Sequence, residues 1–106
     1  MHRTYKFFEI LLDVCDRVEN PDKIFIRRWG TRNNFKAYRV VVLIKRYCPT
    51  RFYELFSIFT CDEDDYACLS RAINILLRKR IKSFNNISTL GGLCREIRKL
   101  VIRESI

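Results

Sequence analysis

Two prolines, Pro21 and Pro49, and three glycines, Gly30, Gly91 and Gly92, are all the strong punctuation this chain of 106 residues contains. A β-sandwich or barrel needs a turn about every 8–12 residues, and turns draw heavily on these two residue types. A chain this sparing with them is limited to a few long elements, and long elements in a small domain are helices. The expected fold class is therefore all-α: a compact single-domain bundle of about four to five helices over residues 1–106. With 48% hydrophobic residues, eight Phe and five Tyr, the chain is far richer in aromatics than a disordered basic tail. At this length it can bury a core without metals or disulfides as a requirement.

Helical periodicity supports the reading segment by segment. Phe7, Leu11, Val14, Cys15 and Val18 recur at the spacing of one helix face over Thr4–Val18, with Glu9, Asp13, Asp16 and Glu19 on the outer side. Asn20-Pro21 ends that helix, because proline disfavours helical geometry in the residue before it. Pro49 suits the first turn of a helix carrying Phe52, Phe56 and Phe59 inward. The cluster Asp62–Asp65 caps the next, expected to run to about Ser83 with Tyr66, Leu69, Ile73, Leu76 and Leu77 inward. Ser88 or Thr89 caps a final helix whose apolar stripe is Leu93, Ile97, Leu100 and Val101.

Residues 24–47 are less clear. The run Val40-Val41-Val42-Leu43-Ile44 has high β-propensity, and a β-hairpin turning across residues 30–34 would make the fold α+β. Against it, Arg32, Lys36, Arg39 and Arg46 recur at intervals that gather cations on one helical face and aliphatics on the other, which favours helix.

Charge narrows the function. Lys and Arg total 21 against 12 Asp and Glu, a net charge of +9. From Arg71 onward there are nine cations and two acids, Glu96 and Glu104, so the last third holds about seven of those nine charges. Arginine supplies 14 of the cations, and its planar fork binds phosphate bidentately or stacks on a base. The candidate nucleic-acid-binding residues are Arg71, Arg78, Lys79 and Lys82 on one helix, Arg95, Arg98, Lys99 and Arg103 on another, and Arg32, Lys36, Arg39 and Arg46 on a third. Side by side, such faces form a groove of positive potential with cations spaced to meet phosphates. The plainer reading is a solvated surface that is basic for solubility. Trp29 and Tyr53 are candidates for base stacking or for an interface, each being a ring with a polar tip.

Other chemistry finds no support in the residues. His2 is the one histidine, no CxxC pair exists, and the carboxylates all sit at capping or helix-surface positions, so no enzyme activity, metal site or cofactor is expected. The longest apolar run, Val40–Ile44, is far below the roughly 18 residues of a membrane span. Five scattered cysteines, Cys15, Cys48, Cys61, Cys68 and Cys94, in a chain without secretory features predict free thiols and an intracellular location, cytoplasmic or nuclear.

The function expected from these readings is a non-enzymatic basic helical module that binds nucleic acid, RNA before DNA, mainly through phosphates. Its size and composition fit a small viral or host-modulating accessory protein. The alternative is a protein-interaction module, a homo-oligomer or adaptor, whose basic faces dock an acidic partner protein. No RNP-type motif or glycine-rich loop names a nucleic-acid fold.

Overall fold

A computed structural model of the chain describes residues 3–27 and 35–104. Four long helices make the frame: α1 (Arg3–Arg17), α2 (Phe35–Tyr47), α5 (Tyr66–Arg80) and α6 (Leu90–Glu104). Between α2 and α5 lie two short helices, α3 (Pro49–Phe52) and α4 (Glu54–Ile58). Single 3-10 turns at Pro21–Lys23 and Phe84–Asn86 complete the order. The bundle is all-α, as the sparse turn residues require.

Segment 35–47 is helical because of where its aliphatics go. Ala37, Val40, Val41, Leu43 and Ile44 are buried while Tyr38, Lys45 and Arg46 are exposed, a pattern that a two-residue period cannot produce. Packing on both neighbours overrides the β-propensity of the valines. Of the hairpin alternative, residues 28–34 lie outside the described residues. Phe25 instead makes an isolated bridge to Thr89, fixed by Ile26 N–H donating to the Ser88 carbonyl at 2.9 Å and Leu90 N–H to that of Ile24 at 2.8 Å. This brings the stretch after α1 onto the start of α6.

α2 packs on α5, α1 on α6, and α1 also touches α2 and α4. The shared core includes Phe7, Phe8, Leu11, Ile44, Phe52, Leu55, Leu69, Ile73, Leu77, Phe84, Leu93 and Ile97. Phe52 meets Phe56 edge-on at 5.5 Å between ring centroids, while Phe59 is only partly buried against this cluster. A Cβ at Gly91 would collide with the Asp22 carboxylate, so the glycine is what lets the 3-10 turn at residues 21–23 close on α6.

Helix ends follow local chemistry. Asp65 caps α5 by accepting from the Cys68 amide at 3.1 Å, and Thr89 Oγ1 accepts from the Gly92 amide at 3.1 Å to cap α6. α5 stops at Arg80 rather than at Ser83, because Ile81 turns extended and buries its own side chain.

The cysteine expectation is corrected. Cys15 on α1 is bonded to Cys94 on α6, and Cys61 to Cys68 across the loop before α5; of the five, Cys48 alone is a free thiol, and it is buried. Sequence separations of 79 and 7 give no warning of either pairing, which only the docking of α1 on α6 and the start of α5 at residue 66 create. Disulfides persist in oxidising surroundings, so the argument from free thiols to an intracellular location falls. Among the described residues no helix is long and apolar enough to cross a membrane.

Candidate polyanion-binding face

The three predicted basic faces meet different fates. On α6, carboxylates answer the cations: Arg95 pairs with Asp22 at 2.9 Å, Arg98 with Asp16 at 3.5 Å and Lys99 with Glu96 at 3.1 Å. Arg103 is exposed near the end of the same helix. Around α1 the pattern repeats, with Arg51 reaching Glu9, Asp13 and Glu54, Arg17 reaching Asp13, and Lys6 reaching Glu54. The Arg17 hydrogen bond, together with the Arg17 charge and hydrogen bonding from Cys48 and Arg51 and against some burial, holds the Asp13 carboxyl below its ordinary pKa. An open cleft of about 400 Å³ lies between the start of α1 and α4, where Lys6 is paired with Glu54 and Arg3 donates to the Thr60 hydroxyl.

α2 and α5 are different. Neither contains a single Asp or Glu. No carboxylate pairs with Arg71, Arg78, Lys79 or Lys82 among the described residues, and all four are exposed, Lys82 standing just past the end of α5. Arg71, Ile75 and Arg78 follow one another at four and three residues, which lines them along one side of α5. On α2, Tyr38 and Lys45 lie two turns apart and share a flank, while Arg46, over the ring of Tyr47, lies two turns from Arg39. Arg39 leans the other way, its Nε 3.5 Å from the carbonyl of Phe25.

Contacts at both ends show how the helices lie together. Lys45 Nζ donates to the Tyr66 hydroxyl at 2.6 Å, a bond that raises the lysine pKa. At the other end the Arg78 guanidinium is near enough to Lys36 to help lower the pKa of that ammonium, although burial contributes more. The start of α2 therefore lies beside the end of α5, and the pair runs antiparallel, with Lys45, Arg46, Arg71, Arg78 and Lys79 exposed along it.

Lys36 itself departs from the predicted role. It is 8% exposed, and Nζ donates to the carbonyls of Phe84 at 2.7 Å and Asn85 at 2.9 Å, over the Phe84 ring. It holds the turn after α5 to α2 rather than meeting solvent. A lysine on a helical cation stripe gave no sign of this, because the carbonyls it satisfies lie 48 and 49 residues away.

Trp29 and Arg32 lie outside the described residues. Tyr53 is 53% exposed, and it stands with its ring against Phe52 and Phe56. Two exposed rings escaped the sequence reading, Tyr38 and Phe25, the second carrying the Arg27 guanidinium 4.3 Å from its centroid. A gap in the apolar register of α2 at residue 38 was the available signal for Tyr38. No protein-family model, curated protein or solved structure matches this chain.

Proposed function

We propose that this chain is a non-enzymatic module that binds nucleic acid, RNA before DNA, by presenting the α2–α5 surface to backbone phosphates. The observation that carries the reading is the separation of charge. Lys6 and Arg17 of α1 and Arg95, Arg98 and Lys99 of α6 pair with carboxylates, whereas α2 and α5 hold Arg39, Lys45, Arg46, Arg71, Arg78 and Lys79 on helices without an acid. The acids nearest these helices, Asp62–Asp65, stand at one end before α5, so along the helices themselves a polyanion meets cations without the repulsion that interspersed carboxylates impose. Arginine forks on it can grip phosphate oxygens in pairs.

Titration of labelled RNA and DNA at several salt concentrations tests the reading. Binding whose logarithm falls linearly with the logarithm of salt is expected, each phosphate contact contributing a slope of roughly 0.7 to 0.9. Affinity absent at low salt, or insensitive to salt, would remove it.

A second reading, docking of an acidic protein, has one observation in its favour: Ile75 is 66% exposed in the middle of the cation line of α5. It predicts that nucleic acid fails to bind and that Ile75→Asp abolishes capture of the partner.

A further inference from the structure

We infer that the α2–α5 surface takes unpaired rather than duplex nucleic acid, with Tyr38 and Phe25 as platforms for its bases; this rests on the phosphate-binding reading above. The chain buries Phe7, Phe8, Phe52 and Phe84 almost completely, yet leaves Tyr38 46% and Phe25 51% exposed. Both rings stand among cations. Tyr38 shares its flank of α2 with Lys45, and that flank adjoins α5, where Arg71 and Arg78 lie on the same side two turns apart. Phe25 is held at the opposite flank of α2 through the Arg39 contact to its carbonyl, so that a strand crossing α2 from α5 would reach it, and the Arg27 guanidinium already covers one side of its ring. A base laid on the open side would complete a stack of guanidinium, ring and base.

The strandedness follows from which surfaces a nucleic acid offers. In a duplex the flat faces of the bases are stacked on one another and only edges and phosphates reach a protein, so exposed rings add nothing. A single strand offers base faces and phosphates together. Cations with interleaved rings match that combination. Ile75, one turn from both Arg71 and Arg78, gives an apolar spot beside the same path.

Fluorescence anisotropy decides it, using a mixed-sequence RNA single strand and the duplex formed with its complement, against the intact protein and its Tyr38→Ala, Tyr38→Phe and Phe25→Ala variants. Both rings are exposed, so the variants should keep the helical circular-dichroism spectrum of the parent. The single strand should bind more tightly than the duplex. Tyr38→Ala should weaken single-strand binding roughly fivefold to a hundredfold, Phe25→Ala in the same direction, and duplex binding should stay within about twofold. Tyr38→Phe should retain the affinity, since the ring and not the hydroxyl stacks. Duplex binding as tight as single-strand binding, or alanine variants that leave single-strand affinity unchanged, would overturn the inference while leaving the phosphate-binding surface standing. A wild-type protein that binds neither form at low salt would remove that surface, and the stacking with it.

Discussion

Lys36 and Asp13 show how single side chains hold this bundle together, and they do so with opposite pH logic. The Lys36 ammonium satisfies two main-chain carbonyls at once and is nearly buried. Lys36→Met keeps the aliphatic stem but leaves those carbonyls unanswered, and should destabilise the fold by about 1–3 kcal/mol in urea unfolding. Burial, aided by Arg78, lowers the pKa of this lysine from its ordinary 10.5. Its charge is therefore a cost to folding that is relieved as pH rises through the lowered value toward 10.5. Asp13 runs the other way. Its carboxyl is held below the ordinary 3.8, chiefly by the Arg17 hydrogen bond, so its contribution is complete above that value and is lost as pH falls through the lowered one. Asp13→Asn should accordingly lower the midpoint of thermal unfolding at pH 7, and the gap from the parent should close on acidification toward pH 2. A gap that persists in acid would assign the effect to packing instead of charge.

At the scale of elements, the two disulfides and one glycine set how the helices are tied. Closing 79 residues between α1 and α6 removes more denatured-state freedom than closing 7. By chain entropy the Cys15→Ala/Cys94→Ala pair should cost about 4 kcal/mol and Cys61→Ala/Cys68→Ala about 2–3 kcal/mol. Denatured, unreduced protein should show one thiol, that of Cys48, and the native protein essentially none, because burial both hides that thiol and raises its pKa. Five reactive thiols without reductant would mean that neither bond forms. Gly91→Ala should cost about 1–3 kcal/mol by forcing the turn at residues 21–23 away from α6. Much of this scale was legible in the residues: Phe7, Leu11, Val14, Leu69, Ile73, Leu93 and Ile97 all point inward as their spacing requires. The cysteine pairs, the Lys36 anchor and the Gly91 contact were not, because each joins residues far apart in sequence or meeting across a loop. Periodicity reports the face of a single helix and is blind to which helix that face meets.

For the whole molecule, net charge says less than its distribution. The excess of cations after residue 70 reads in sequence as one basic region, but the fold divides it. α6 lies against α1 and the turn after it, where Asp16 and Asp22 meet its arginines, while α5 lies against α2, which has no acid to offer. Composition cannot reveal this division, since it depends on which helices become neighbours. The central claim is that Arg71, Arg78, Lys79 and Lys82, which no carboxylate meets among the described residues, bind phosphates and that the paired Arg95, Arg98 and Lys99 of α6 do not. Two triple neutralisations of equal charge test it most directly: Arg78→Gln/Lys79→Gln/Lys82→Gln against Arg95→Gln/Arg98→Gln/Lys99→Gln, each titrated with the same RNA across a salt series. The α5 variant should lose affinity and shed roughly two units of slope in log affinity against log salt, and the α6 variant should stay close to the parent in slope. Equal losses from both variants, or a larger loss from α6, would contradict the account.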